Sequence, residues 1–188
     1  MRDALISTAQ AVWRQQQRWR EGELPQPLRD WLFDVGSLTQ RVQQYCAGAF
    51  AVELLGQGRE RPLQEEALAL GLSRGQWGLV RKVHLSCAGR PWVFARTVIP
   101  PRTLAGRRRR LAYLGTRPLG AMLFSQRSMR RGAMEAARLT AGHPLYEAAV
   151  RSLESRPPWL WGRRSLFFLD GQPLLVCEIF LPPSPAQE

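Results

Sequence analysis

Apolar and polar positions alternate along two stretches of the chain that share one layout, 82 positions apart. The first stretch spans residues 77–99 with a turn at Ala88-Gly89, and the second spans residues 161–181 with a turn at Asp170-Gly171. A period of two is typical of strands, and short turns that contain glycine join antiparallel neighbours. Each stretch therefore predicts a β-hairpin, and a Pro-Pro pair follows each one.

The segments between the hairpins favour helices, because their apolar residues recur at intervals of three or four. The segment 28–45 is interrupted near Gly36, where Ser37 is suited to cap a second helical piece. Two more short strands are predicted, at 50–54 and 128–135. The predicted helices cover residues 4–19, 28–45, 62–70, 118–124 and 143–155. Strands joined by tight turns, with helices grouped between them, predict an α+β fold in which helices pack over an antiparallel sheet.

Length and composition indicate one domain over residues 1–188, in which residues 1–27 form an N-terminal helix and a linker. A hydrophobic share of 45% is enough for a packed core. The first residues lack the apolar core of a secretory signal, and no stretch is long enough to span a membrane. We therefore expect a soluble, cytoplasmic protein. Three cysteines without metal-ligand spacing suggest free thiols in a reducing compartment, and they are Cys46, Cys87 and Cys177.

The chain is strongly basic, with a formal net charge of +12, and its basic residues are arginines except for Lys82. Such a charge attracts nucleic acid, acidic lipid and small polyanions alike. Biased codon usage explains an arginine excess equally well. The four arginines at 107–110 are not accompanied by a nucleic-acid-binding motif, so we expect no specific nucleic-acid partner.

Charged residues interrupt the apolar faces of the predicted strands. When the two hairpins are overlaid, Arg81 aligns with Arg163 and Arg96 aligns with Glu178. Alternation places both Arg81 and Glu178 among apolar neighbours, where a charge needs a polar partner or a ligand. Two interpretations stay open. The charges pair with one another inside the sheet, or they line a pocket in which an arginine holds a carboxylate and a glutamate holds a hydroxyl.

Other polar residues give weaker indications of a functional site. Pro118 at a helix start leaves the amides of Leu119 and Gly120 available to an anion. His84 lies opposite Arg81 by alternation, so we expect it at the surface, and we expect a structural or an incidental role for His143. With no cluster of ligand residues around the two histidines, no metal site is expected.

Four segments, taken in order, resemble the chorismate lyase (chorismate pyruvate-lyase) family: residues 85–101, 114–120 (LGTRPLG), 160–165 (LWGRRS) and 171–185. The resemblance covers the chain from about Asp30 onward. It implies an antiparallel sheet with helices over it and an enclosed ligand site. The implied reaction converts chorismate to 4-hydroxybenzoate and pyruvate without a cofactor, at the entry to the ubiquinone ring.

The resemblance also assigns roles to four residues. Arg81 matches the arginine that holds the ring carboxylate, and Leu119 matches a ligand contact near that carboxylate. Glu178 matches the glutamate that meets the ring hydroxyl. Leu38 matches a ligand-contacting position that holds methionine in some members.

Two further arginines and one alternative function complete the expectations. Arg96 and Arg163 are candidates either for the enolpyruvyl carboxylate or for support of Glu178. The same fold resembles the effector-sensing domains of some bacterial transcription regulators, but the first 30 residues are too short for the DNA-binding domain that such regulators carry. We therefore expect an enzyme with a small-molecule substrate, acting as a monomer.

Overall fold

A computed structural model describes residues 10–186, and within them seven strands form one antiparallel sheet in the order β1-β5-β6-β7-β4-β3-β2. Both predicted hairpins are confirmed, as β3–β4 and β6–β7, and they lie side by side because β4 pairs with β7. The strands are β1 (Arg14–Gln15), β2 (Phe50–Glu60), β3 (Gly78–Cys87), β4 (Arg90–Ile99), β5 (Arg130–Thr140), β6 (Trp159–Leu169) and β7 (Gln172–Phe180).

Short helices connect the strands and cover both faces of the sheet. The predicted interruption near Gly36 separates α1 from α2, and the Ser37 hydroxyl accepts a hydrogen bond from the Gln40 amide at 3.5 Å. None of the helices within residues 10–186 is long and apolar enough to cross a bilayer. The α-helices are α1 (Gln26–Leu32), α2 (Leu38–Tyr45), α3 (Gln64–Leu70), α4 (Leu119–Phe124) and α5 (Pro144–Ala149), and the 3-10 helices are Gln16–Arg18, Pro101–Leu104, Gly106–Tyr113 and Val150–Ser152.

The two faces of the sheet carry different cores. On the face that holds Arg96, here the Arg96 face, α3 and α5 complete one continuous apolar cluster with Phe94 and Ile179. On the face that holds Arg81, here the Arg81 face, the apolar residues divide into two clusters. One joins α1 and α2 to Val83, and the other joins α4 to Val176. The division leaves space between the clusters, above the middle of the sheet.

The predicted N-terminal helix over 4–19 is wrong where it can be compared. Residues 1–9 lie outside the described residues, and residues 10–19 hold β1 and a short 3-10 helix. Arg14 pairs with Ala136 at the edge of β5, and the Trp13 indole donates to the Glu65 carboxylate at 3.0 Å. Pairing with an open sheet edge satisfies the backbone that a helix would otherwise have satisfied internally.

The prediction of three free thiols is wrong for two of them. Cys46, just after α2, and Cys87, at the end of β3, form a disulfide with their Cα atoms 5.6 Å apart. The two residues are 41 positions apart in sequence. The β2–β3 pairing brings them together, so their spacing alone did not reveal the bond. Cys177 is a buried free thiol.

The prediction that His84 lies at the surface is also wrong. Its face of the sheet is covered rather than exposed, and the residue is buried against the Phe94 ring. The Ser152 hydroxyl lies 3.2 Å from His84 Nε2. His143 has a structural role, as expected, because its Nδ1 accepts a hydrogen bond from the Leu145 amide at the start of α5.

Candidate active site

A cavity occupies the space between the two apolar clusters of the Arg81 face. Apolar side chains form most of the wall, and four charged residues reach it. The lining residues include Leu38, Val83, Leu85, Leu119, Leu123, Phe167 and Val176, with Arg81, Arg131, Arg163 and Glu178 as the charged members.

Arg81 reaches the cavity from the middle of β3 and lacks a carboxylate partner in the described chain. Its Nη2 donates to the carbonyl oxygens of Gly115 and Arg117, at 2.8 and 3.1 Å. Its Nε–H is buried without a hydrogen-bond partner among residues 10–186. Burial lowers the pKa of this guanidinium below its usual value. An unsatisfied buried donor is costly unless a ligand completes it, so Arg81 is suited to bind an anion.

Glu178 lies opposite Arg163 in the β6–β7 ladder, and the two side chains form an ion pair. Arg163 Nε donates to Glu178 Oε2 at 2.7 Å. Arg163 Nη1 donates to the carbonyl oxygens of Trp31 and Asp34, at the end of α1. Since the side chain of Arg163 is almost fully buried, it fixes the carboxylate of Glu178 in place. The second oxygen of Glu178 accepts no hydrogen bond within the described residues and can meet a ligand hydroxyl.

Arg131 is a fourth charged residue of the cavity, and the pattern of its strand did not predict it there. It stands on β5 across from Phe167, beside a bulge between Arg131 and Met134. The bulge breaks the alternation of the strand, so side-chain direction could not be extended through it. The sequence held a weaker sign that Arg131 faces the core. Arg131 lies two positions after the apolar residue Met129, a spacing that places two residues on the same face of a regular strand.

Two helix starts cover the cavity and approach one another closely. Leu38 begins α2 and Leu119 begins α4, and both residues line the cavity. The approach is close at Gly120, since an added Cβ would lie 3.1 Å from the Ser37 hydroxyl, which would have to shift by a few tenths of an ångström. The structure thus brings Leu38, Leu119, Arg81 and Glu178 to one cavity.

Arg96 does not belong to this cavity. Arg81 pairs with Thr97 and Lys82 pairs with Arg96, so Arg96 points to the other face of the sheet. There its Nε donates to the Glu66 carboxylate at 2.8 Å, and Glu66 is fully buried. Its predicted alternatives, an enolpyruvyl contact or support of Glu178, are therefore wrong, whereas Arg163 does contact Glu178.

The charge of the cavity is not balanced. Three guanidinium groups face one carboxylate, which leaves a formal charge of +2 on the wall. Among residues 10–186, no group of three or more histidine, cysteine or acidic side chains could hold a metal ion. The wall of this mainly apolar cavity is therefore suited to an organic anion.

Comparison with known families gives a direct assignment. Residues 7–186 match the family model described as Chorismate lyase. This chain belongs to the chorismate lyase family. The probable chorismate pyruvate-lyase of Methylococcus capsulatus is 45% identical over 155 residues, which are 82% of this chain and 94% of that protein. The probable chorismate pyruvate-lyase of Thiobacillus denitrificans is 46% identical over 160 residues, 85% of each chain.

Solved structures show that the chorismate lyase fold is shared with ligand-binding domains of regulators. The ligand-binding domain of a GntR-family regulator from Bordetella bronchiseptica has a TM-score of 0.53 at 20% identity, covering 73% of this chain and 87% of that one. The effector domain of PhnF from Mycobacterium smegmatis has a TM-score of 0.52 at 15% identity, covering 78% and 89%. At these identities the likeness shows the fold and no shared function.

Proposed function

We propose that this protein is a chorismate pyruvate-lyase, which converts chorismate to 4-hydroxybenzoate and pyruvate. Membership of the chorismate lyase family supports this reaction. The observation that carries it is the cavity wall, where three arginines and one glutamate leave a formal charge of +2. Chorismate carries two carboxylates and one hydroxyl on a compact apolar ring, which complements these groups in charge and kind.

The proposed roles are those that the family resemblance implies, and the geometry of each side chain supports them. Arg81 holds the ring carboxylate with its unpartnered Nε–H, and the Leu119 amide at the start of α4 contacts the same group. Glu178, oriented by Arg163, accepts a hydrogen bond from the ring hydroxyl. Leu38 closes the cavity from α2.

The reaction is a redox-neutral elimination whose atoms all remain in the two products. The bond between ring C3 and the ether oxygen breaks, and the hydrogen on ring C4 leaves. The enolpyruvyl methylene carbon gains a proton and becomes the methyl group of pyruvate, while the ring becomes aromatic. Since aromatisation makes the step downhill, the protein's task is to hold a reactive conformer away from water.

Four further features belong to the same proposal. The reaction needs no cofactor, because no electrons are exchanged and the leaving group carries its own acceptor carbon. The protein acts as a monomer. It works in the cytoplasm without a specific nucleic-acid partner. Its product supplies the ring of ubiquinone.

A spectroscopic assay tests the reaction. Chorismate is incubated with the wild-type protein, and formation of 4-hydroxybenzoate and of pyruvate is measured in equal amounts. Arg81→Ala is expected to lose turnover, because the ring carboxylate loses its buried cation. Arg90→Ala is the matched control, since Arg90 is an exposed arginine of the same hairpin. Equal rates for Arg81→Ala and the wild type would remove Arg81 from the site.

The Glu178 half of the site is tested with Glu178→Gln, which keeps the shape and removes the charge. A lower rate is expected, and an unchanged rate would show that the carboxylate has no electrostatic role. A wild-type protein that binds 4-hydroxybenzoate or chorismate without producing pyruvate would instead be a sensing domain. The assay therefore separates the enzyme from the non-catalytic alternative.

A further inference from the structure

Arg131 approaches the cavity from the end opposite Arg81. Its guanidinium carbon lies 5.0 Å from the centre of the Phe167 ring, and its Nε donates to the Ser165 hydroxyl at 3.1 Å. Its Nη1 faces three carbonyl oxygens of residues 34–36, at 3.0 to 3.3 Å. Ring, hydroxyl and loop together hold the guanidinium in one orientation.

No carboxylate pairs with this group within the described residues, and its Nη2 has no hydrogen-bond partner there. Burial lowers the pKa of Arg131 to about 10, and the nearby Arg163 adds to that effect, while Glu178 and Asp34 oppose it. The pKa therefore reflects a cation that its surroundings do not fully compensate. A bound anion would supply the compensation.

Strand register gives the distance between the two ends of the site. Arg81, Thr97, Val176 and Ser165 form one row across β3, β4, β7 and β6. Three strand spacings separate the ends of this row at the backbone, about 14 Å. The side chain of Arg81 enters from one end, and Arg131 sits on Ser165 at the other. Two carboxylates of one compact ligand fit between two arginines placed in this way.

The order of groups on chorismate agrees with this row. If Arg81 takes the ring carboxylate and Glu178 takes the C4 hydroxyl, the neighbouring C3 carries the enolpyruvyl ether. Arg131 is close enough to Glu178 for the two charges to interact. Arg163 is less suited to a second carboxylate, because its charge is already paired with the carboxylate of Glu178.

We propose that Arg131 binds the enolpyruvyl carboxylate of chorismate, a group that the product 4-hydroxybenzoate lacks. This inference rests on the proposed function and assigns the second acidic group of the substrate. Arg131 then holds the enolpyruvyl group, which leaves as pyruvate. Because 4-hydroxybenzoate lacks this carboxylate, Arg131 contributes to the binding of the substrate but not of this product. Arg81 contacts a carboxylate that is common to both molecules.

The test compares substrate with product. In Arg131→Met, which keeps an apolar stem against Phe167, KM for chorismate is expected to rise roughly 30-fold or more, the effect of leaving one buried charge unpaired. The Kd for 4-hydroxybenzoate, measured by calorimetry, should change less than about threefold. In Arg81→Ala both quantities should rise. Arg130→Ala, an exposed neighbour on the same strand, is the matched control and should change neither.

Three outcomes overturn the inference. Equal weakening of chorismate and 4-hydroxybenzoate in Arg131→Met would show that the residue only fastens the loop at 34–36. An unchanged KM would remove it from the site. If Arg131→Met does not fold, Arg131→Lys is measured in its place. Because lysine retains the positive charge, KM for chorismate should rise less than in Arg131→Met, and the Kd for 4-hydroxybenzoate should stay unchanged. A wild-type protein that produces no pyruvate would overturn the proposed function as well, so the two failures are distinguishable.

Discussion

The two faces of the sheet treat buried arginines in opposite ways. On the Arg96 face, Arg96 is paired with Glu66 and Glu60, and Arg164 is paired with Glu135, with N–O distances of 2.7 to 3.3 Å. On the Arg81 face, three arginines line the cavity together with one carboxylate, that of Glu178, which forms its ion pair with Arg163. One face is balanced by its own residues, and the other is not.

This difference distinguishes buried charges that are paired within the fold from buried charges that are available to bind a ligand. When a buried arginine is paired with a carboxylate, the attraction between them offsets the free energy of desolvation. Removal of the carboxylate strongly destabilises the fold, because the arginine is left as an unpaired buried charge. An arginine whose N–H groups donate only to backbone carbonyls, or have no hydrogen-bond partner, remains able to bind an anion. Charge in an apolar strand is therefore a weak sign of a site, while unbalanced charge beside a cavity is a strong one.

The strongest test of the balanced face is Arg96→Ala. It leaves Glu66 fully buried without its cation, which should lower the free energy of unfolding by about 3–5 kcal/mol. Urea unfolding measures the loss. The double variant Arg96→Met/Glu66→Leu should recover much of the stability, because neither charge is then left alone. A single variant as stable as the wild type would break the comparison.

A second test concerns the disulfide that links α2, a helix over the cavity, to the sheet. The Cys46–Cys87 disulfide ties the end of α2 to β3. The double variant Cys46→Ala/Cys87→Ala should lose about 2–4 kcal/mol in the free energy of unfolding, since a closed loop of this kind restricts the unfolded chain. The wild type treated with a reducing agent is the parallel measurement. An unfolding midpoint that neither treatment changes would contradict the expectation.

Arg81→Met sharpens the other side of the comparison. Because this arginine has no carboxylate partner in the described chain, its removal should change the free energy of unfolding by less than about 1 kcal/mol. The Kd for 4-hydroxybenzoate should nevertheless rise roughly 30-fold, or about 2 kcal/mol. Calorimetry and urea unfolding on the same preparation measure both. A large loss of stability with unchanged ligand affinity would show that Arg81 is structural.

Alternation along single strands predicted much of this site, but relations between strands were beyond it. It placed Arg81 and Glu178 among apolar neighbours, and both line the cavity. It did not show that Arg96 points away from Arg81, because that depends on the register in which Arg81 meets Thr97. A slip of one residue in a hairpin reverses every side chain, so register had to come from the structure.

Other residues were missed because contacts distant in sequence decide them. His84 is buried and contacts the hydroxyl of Ser152, which lies 68 positions later in the chain. The Cys46–Cys87 bond depends on β2 pairing with β3. Periodicity describes one element at a time, whereas these outcomes depend on which element covers which.

The smallest expected effect is a pH dependence that belongs to the Arg96 face alone. Burial lowers the pKa of His84, and Glu53, 3.8 Å away, opposes the shift only in part. The unfolded chain therefore takes up a proton first, near pH 6.5, and His84 lowers the stability of the fold as the pH falls below that value. Urea unfolding between pH 7 and 5.5 should show a decline of about 1 kcal/mol or less.

In His84→Gln this decline should flatten, because the titrating group is gone. Glu60 and Glu65 have lowered pKa values, so they weaken the fold only when the pH falls below about 4.5, outside this window. Arg81 and Arg131 keep their charge throughout this window, so affinity for 4-hydroxybenzoate should stay constant while stability changes. An unaltered slope in His84→Gln would assign the decline to another group. A parallel loss of ligand affinity would show that the two faces are coupled.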